Sequence, residues 1–231
     1  CEEVCRAFMQ EGGAYHQLSV RPERTEGGRM TGLRTSAGDT VQADAYVFAC
    51  GPWLPQLFPE VLGNYLTTSR QEVYYFGTPA GNADFTAPRL PIWLNFDDPI
   101  YYGIPSSDHR GFKIADDTRR EPLDPTQVER TPLPERVETA RKFIVHRFPA
   151  MAGAPLVEAR VCQYTNSPDG DYLVDRHPEA DNVWLVGAGC GHGFKVGPAL
   201  GAYVAGQVLG QGLAEPRFGL ERFAKAGPGK T

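Results

Sequence analysis

The residues best suited to chemistry lie around a glycine-rich loop at positions 187–193. An apolar run precedes this loop, and a stretch of small apolar residues follows it. Glycines let backbone N–H groups approach a ligand closely, and the start of a following helix favours negative charge. The alternating glycines depart from the GxGxxG fingerprint of a first dinucleotide-binding turn. The loop therefore indicates a ligand-binding unit, with a purely structural tight turn as the alternative.

Five further side chains are candidates by type and position. Lys113 lies in an aromatic, strand-like run, and a lysine held in a dry site can stabilise developing negative charge. Cys162 lies in an alternating run and becomes a nucleophile once it is deprotonated; Lys195 follows the glycine loop. The alternatives are solvent-exposed lysines and a small core cysteine. Tyr102 and Tyr164 either line a pocket that packs a substrate amine or belong to the core.

Composition and charge argue against several classes of function. The chain has 231 residues with 23 basic and 28 acidic side chains, and its net charge is −5. The basic residues are scattered, which gives little support to a nucleic-acid or anionic-membrane partner. Apolar runs are interrupted within about ten residues, so no membrane span is predicted. The five cysteines are widely spaced and favour a reducing cytoplasm over secretion. No metal site is predicted from the histidines outside the glycine-rich loop, which are His16, His109, His146 and His177.

Hydrophobic periodicity predicts the elements that position these candidates. The apolar runs at 45–50 and 182–187 are typical of buried strands, and we expect them to pair in one parallel sheet. Aromatic runs between residues 68 and 117, separated by Pro, Gly and Asp, predict an antiparallel sheet. Further strands are predicted over 14–20, 29–36, 39–43, 159–165 and 172–175. Helices are predicted over 1–11, 135–148 and 198–209.

Four motifs in order resemble the D-amino-acid oxidase superfamily, in particular its sarcosine oxidase group. The motifs are 43–53 (ending Gly-Pro-Trp), 101–105 with 111–113 (Gly-Phe-Lys), 161–165 (Val-Cys-Gln-Tyr-Thr) with 168–169, and 191–195 (Gly-His-Gly-Phe-Lys). Together they cover nearly the whole chain. The resemblance implies an α/β fold with a glutathione-reductase-like FAD-binding domain, into which an antiparallel substrate-binding domain is inserted. The implied bounds are 1–66 and 169–231 for the FAD-binding parts and 67–168 for the substrate-binding domain.

That family begins with a GxGxxG unit, and no such motif precedes residue 51. We therefore expect an incomplete FAD-binding domain, the C-terminal part of a longer oxidoreductase. An alternative is a non-catalytic fragment or subunit whose partner supplies the GxGxxG segment.

The resemblance implies FAD-dependent oxidation of the C–N bond of a secondary amine or amino acid, with electrons passing to O₂ to give H₂O₂. A dehydrogenase with another acceptor is the alternative. Cys162 is the implied covalent attachment point for FAD, and Lys113 the implied cation beside the flavin during reaction with O₂. Lys195 is implied to bind the substrate carboxylate, and Tyr102 and Tyr164 to line the pocket. The remaining implied FAD-binding residues, together with Lys195, are Gly51, Trp53, Gly187, Gly189, Gly191, His192, Gly193 and Phe194.

One departure from the family pattern concerns the residues that follow Lys113. A Tyr-His pair is expected there, whereas this chain has Asp116 and Asp117. A carboxylate in place of an imidazole changes the charge of the pocket. Sarcosine itself is therefore not the expected substrate.

Overall fold

The computed structural model describes residues 1–105, 110–118 and 122–226 of the chain. Its α-helices are α1 (Glu2–Gln10), α2 (Leu54–Leu57), α3 (Pro59–Leu62), α4 (Pro134–Arg147), α5 (Gly197–Val208) and α6 (Glu221–Ala226). Its strands are β1 (Val20–Pro22), β2 (Thr25–Glu26), β3 (Arg29–Met30), β4 (Leu33–Thr35), β5 (Thr40–Val41), β6 (Tyr46–Phe48), β7 (Thr67–Phe76), β8 (Trp93–Asn95), β9 (Tyr101–Ile104), β10 (Phe112–Asp116), β11 (Leu156–Asn166), β12 (Leu173–His177) and β13 (Ala180–Gly187). None of the helices in these ranges is long and apolar enough to span a bilayer.

The chain forms two compact units, one of residues 1–48 with 175–185 and one of residues 49–174 with those from 186 onward. In the first unit, β6 and β13 pair in parallel, with Val183 opposite Tyr46. The predicted parallel pairing is therefore confirmed. Burial of β6 on both faces is wrong, because Val47 is 46% exposed while Tyr46 and Phe48 are buried. Successive side chains of a strand alternate between faces, and only one face of β6 is covered.

The N-terminal segment follows the predictions in part. Helix α1 is confirmed and precedes Gly12, whose φ of 96° suits a glycine. The strand predicted over 14–20 is wrong except at its last residue, where β1 begins. Tyr15 and Leu18 are more than half exposed. Within the described residues no strand pairs with 14–19, so the alternating pattern there has no ladder to join.

The second unit contains an antiparallel sheet in the order β11-β7-β10-β9-β8, as predicted for the middle of the chain. Helix α4 covers one face, where its Ala140 and Ile144 pack with Phe76, Phe112 and Ile114 of the sheet. Pro134 opens this helix, and its last residue is followed by Phe148, which precedes a proline. The helix predicted over 135–148 is thus confirmed. The opposite face of the sheet carries the site.

Candidate functional site

Four predicted site residues lie on the sheet face that points away from α4. Tyr102 comes from β9, Lys113 from β10, and Cys162 and Tyr164 from β11. Opposite residues in an antiparallel ladder share a face. The pairs that fix this face are Lys113 with Tyr75, Ala115 with Val73 and with Tyr102, Arg160 with Val73, Cys162 with Gln71, and Tyr164 with Ser69. The fold therefore gathers on one surface residues that lie up to 62 positions apart in sequence.

The ammonium group of Lys113 lies over an aromatic ring. Its Nζ lies 5.0 Å from the centroid of the Tyr102 ring, within the range of cation–π attraction. The side chain is half-buried and lies in the middle of the sheet, since β10 pairs with β7 on one side and β9 on the other. The backbone of Lys113 is therefore anchored on both sides, and its ammonium group lies over the Tyr102 ring at this face.

Cys162 is half-buried near several positive charges. Burial raises the pKa of its thiol, and the charges of Lys113, Arg160 and Arg130 oppose that shift without cancelling it. The thiol therefore remains protonated at neutral pH in the protein alone. Arg130 is held nearby because it donates a hydrogen bond of 2.9 Å to Oε1 of Gln163, the next residue of β11.

Tyr164 connects the sheet face to the glycine loop. Burial raises the pKa of Tyr164 strongly, and both its hydrogen bond with Tyr102 and the negative charge of Asp117 act in the same direction. Its phenol is therefore neutral at physiological pH. A Cβ built on Gly191 would lie 2.2 Å from a carbon of the Tyr164 ring, so only glycine allows this close approach.

The two aspartates that stand where the Tyr-His pair is expected have different surroundings. Asp116 accepts a hydrogen bond of 2.8 Å from the backbone N–H of Thr118. It also lines a cavity of about 270 Å³ on the α4 side of the sheet. The negative charge of Asp117 contributes to the raised pKa of Tyr164. The change in pocket charge expected from the sequence stays a prediction.

The glycine loop follows β13 and is tied to β11. Cys190 donates a backbone hydrogen bond of 3.0 Å to the carbonyl of Thr165. Ala188 and Cys190 have left-handed backbones, with φ of 54° and 47°, as does Gly191 with φ of 81°. A left-handed conformation at a residue other than glycine costs about 1–3 kcal/mol and is retained mainly at ligand clamps and active sites.

The predicted cofactor residues Gly51 and Trp53 lie in a short 3-10 turn before α2. This turn is joined to the sheet, because Thr68 donates a hydrogen bond of 3.0 Å to the carbonyl of Pro52. Leu54, fully buried, follows the turn. Its Cδ2 lies 2.7 Å from where a Cβ on Gly187 would be, so the turn packs against the start of the glycine loop.

The end of the loop is open to solvent. His192, Phe194 and Lys195 are exposed, with Phe194 at 83%. Gly193 donates a backbone hydrogen bond of 3.0 Å to the carbonyl of Gly189, which closes a turn within the loop. The structure gives no contact between Lys195 and the tyrosines of the sheet face. Its role toward a substrate therefore stays a prediction.

Sequence reasoning missed three neighbours of the site. Tyr172 binds His192 through a contact of 2.8 Å between its hydroxyl and Nδ1. Arg160 and Arg130 act on Cys162, as described above. The alternation of β11 could have indicated that Arg160 and Cys162 share a face, whereas nothing in the sequence links Arg130 or Tyr172 to the site.

The described residues contain no group of three or more His, Cys, Asp or Glu side chains that is arranged to hold a metal ion. His109 lies outside the described residues. The site therefore consists of a cation, two phenols, a thiol and a glycine loop.

Comparison with known proteins shows the family of the chain. A family model described as FAD dependent oxidoreductase (DAO) matches residues 1–207. The monomeric sarcosine oxidase of Streptomyces avermitilis is 31% identical over 186 residues, which cover 78% of this chain and 48% of that protein. Human peroxisomal sarcosine oxidase is 30% identical over 203 residues, covering 84% of this chain and 51% of that protein. The chain spans about half the length of these curated relatives.

Solved structures share the fold at lower identity. A modified fructosyl peptide oxidase from Aspergillus nidulans superposes with a TM-score of 0.81 at 17% identity, covering 99% of this chain and 58% of that one. The iminodiacetate oxidase of a Chelativorans species gives a TM-score of 0.75 at 19% identity, covering 96% and 56%. These likenesses confirm the predicted α/β fold with its antiparallel sheet. The predicted domain bounds at residues 66 and 168 stay a prediction.

Proposed function

The chain belongs to the DAO family of FAD dependent oxidoreductases, and on this premise we propose that its protein oxidises the C–N bond of a secondary amine or amino acid. The electrons pass to O₂ and give H₂O₂. The observation that carries this proposal is the sheet face on which Lys113 lies 5.0 Å from the Tyr102 ring. Cys162 and Tyr164 share that face. An aromatic wall suits a substrate amine, and a fixed cation suits electron transfer to O₂.

The residues present fit FAD. The strained backbone at Ala188 and Cys190 is typical of a ligand clamp. A Cβ on Gly189 would meet nothing within 4 Å, so the loop backbone borders open space there. The proposed FAD-binding residues are Gly51, Trp53, Cys162, Gly187, Gly189, Gly191, His192, Gly193, Phe194 and Lys195. When bound, FAD supplies the redox chemistry by accepting a hydride equivalent from the carbon next to nitrogen.

Cys162 is the proposed covalent attachment point, through a thioether between its Sγ and a methyl carbon of the flavin. The thiol would give up its proton and the methyl carbon one C–H hydrogen, and the two electrons released would pass through the flavin to O₂, which would be reduced to H₂O₂. The thiol must lose its proton to act as the nucleophile. The positive charges of Lys113, Arg160 and Arg130 favour the thiolate, whereas burial opposes it. These cations support the assignment of Cys162 over Cys50, whose pKa is raised by burial alone.

Substrate binding is proposed to involve two kinds of contact. Lys195 is exposed beside the glycine loop and is available to bind a carboxylate. The Tyr102 and Tyr164 rings share one face of the sheet and provide an apolar wall. Sarcosine, which names the relatives above, is a secondary amine with a carboxylate. The negative charge of Asp117, which acts on Tyr164, supports a different secondary amine or amino acid for this protein.

Lys113 is proposed to serve the reaction with O₂ rather than substrate oxidation. Negative charge develops on oxygen when it takes up electrons, and a cation already oriented in a partly dry site stabilises that charge without reorganisation. Lys113 meets this requirement because it is half-buried and held on a central strand.

The test uses the flavin-loaded protein in its native length. N-methyl amino acids, primary amino acids and dialkylamines are compared with 2-hydroxy acids, first by anaerobic bleaching of the flavin and then by H₂O₂ release on admission of air. The proposal predicts bleaching by an N-substituted amine or amino acid and one H₂O₂ per flavin reoxidised. Bleaching by these amines with reoxidation only by a dye would identify a dehydrogenase with another acceptor. Bleaching by 2-hydroxy acids alone would contradict oxidation at a C–N bond.

A further inference from the structure

Tyr172 and His192 form a pair at the exposed end of the glycine loop. The Tyr172 hydroxyl lies 2.8 Å from Nδ1 of His192 and 3.5 Å from the His192 carbonyl oxygen. The two rings also contact each other, with centroids 5.3 Å apart and tilted by 59°. The pair therefore fixes the orientation of an imidazole that the loop would otherwise leave free to rotate.

The distances assign the proton of this hydrogen bond. A hydroxyl has one hydrogen, which can point to Nδ1 or to the carbonyl. Nδ1 at 2.8 Å is the closer acceptor for this hydrogen, whereas the carbonyl at 3.5 Å offers only a long and weak hydrogen bond. A phenol is also a better proton donor than a neutral imidazole. The hydroxyl therefore donates to Nδ1, which makes Nδ1 an acceptor and leaves the imidazole hydrogen on Nε2.

The C-terminal segment holds Tyr172 in position. The Phe218 ring lies 5.8 Å from the Tyr172 ring and 5.7 Å from the Tyr203 ring, in edge-on contacts. Arg222 donates hydrogen bonds to the carboxylate of Asp169 at 2.8 Å and to the carbonyl of Asp171 at 3.0 Å. These contacts tie Tyr172 and the residues just before it to the C-terminal segment, while the Tyr172 hydroxyl contacts His192.

We propose that Tyr172 is a positioning residue that selects the Nε2–H form of His192, so that the glycine loop presents Nε2–H as a hydrogen-bond donor to an acceptor atom of bound FAD. This inference rests on the proposed function for the identity of the ligand. The choice of tautomer rests on the contacts of the chain itself. His192 is exposed in the chain, so its Nε2 side is accessible to a ligand that lies over the loop.

The first test is long-range ¹H–¹⁵N correlation spectroscopy of the imidazoles in ¹⁵N-histidine-labelled protein at alkaline pH. His192→Gln assigns the signal. We expect the Nε2–H pattern for His192, and a shift toward a tautomer mixture in Tyr172→Phe. Tyr203→Phe is the matched control, because it removes a hydroxyl from the same aromatic group without touching His192. An Nδ1–H pattern, or an unchanged pattern in Tyr172→Phe, would overturn the inference whatever the flavin does.

The second test measures the flavin midpoint potential in a double-mutant cycle. Tyr172→Phe is expected to shift the potential in the wild-type background and to have no effect in the His192→Gln background, because Tyr172 acts through His192. A shift of equal size in both backgrounds would indicate a general structural effect and overturn the inference. No shift in either background would also overturn it, because His192 would then not reach the flavin. Failure of amines to bleach the flavin, with the cycle behaving as expected, would count against the proposed function only.

Discussion

Replacement of Lys113 by methionine removes the cation and keeps an unbranched side chain that is one atom shorter. In the proposed function this charge stabilises negative charge on oxygen. Two unit charges about 5 Å apart, the scale of the contact between Lys113 and the Tyr102 ring, interact by about 3 kcal/mol at an effective dielectric of about 20. That energy corresponds to about a 10²-fold change in rate. We therefore expect Lys113→Met to slow reoxidation by O₂ by about 10²-fold or more.

Stopped-flow spectroscopy separates the two half-reactions of the flavin-loaded protein. Anaerobic reduction by substrate is expected to change much less than reoxidation in Lys113→Met, and Lys113→Arg is expected to restore part of the reoxidation rate. Lys142→Met is a matched control, since Lys142 is exposed on α4, which covers the opposite face of the sheet. Unchanged reoxidation in Lys113→Met would refute the reasoning and assign Lys113 a structural role.

Three further predictions concern the cofactor link and the support of the loop. Acid precipitation of the wild-type holoprotein is expected to leave flavin colour in the pellet, and Cys162→Ser to release it; a colourless wild-type pellet from active protein would contradict the link. Gly191→Ala drives a methyl group into an aromatic ring of β11 at a φ of 81°. The Gly191→Ala substitution should lower the free energy of unfolding by about 1–3 kcal/mol in a denaturant titration. Gly189→Ala should not lower it, because a Cβ at position 189 would point into open space. Burial alone would raise the pKa of Asp169, but hydrogen bonds from Arg222 and a backbone N–H lower it below the ordinary carboxyl value. The stability it contributes is therefore present above the ordinary carboxyl pKa and is lost as pH falls through the lowered value. Asp169→Asn should cost about 1 kcal/mol at neutral pH, and this difference from wild type should vanish in acid; a pH-independent difference would exclude the charge as its cause.

The sequence predicted elements well where periodicity and packing agree. Helix α4 has both an apolar face and clear end signals, and the aromatic strands between residues 68 and 117 are separated by turn residues. The strand predicted over 14–20 is wrong except at residue 20. An alternating apolar pattern indicates a tendency to form a strand, but it does not show whether a partner strand is present. The exposure of Val47 was missed for a similar reason, since an apolar run does not reveal which face will be covered.

The candidate site was predictable in its parts but not in its contacts. Residue types and motifs indicated Lys113, Cys162 and Tyr164, whereas strand register determines that they share a face. The close approach of Gly191 to Tyr164 depends on how the loop folds back on β11. The sequence pattern places Tyr172 only in a predicted strand, because its contact with His192 joins residues 20 positions apart.

Anaerobic mixing of the flavin-loaded protein with an N-alkyl amino acid tests the central claim most directly. Bleaching is followed for the ordinary substrate and for one deuterated at the carbon next to nitrogen. Oxidation of the C–N bond predicts complete bleaching that deuteration slows, followed by H₂O₂ equal to the flavin when air is admitted. A flavin that no secondary amine or amino acid bleaches would contradict the account.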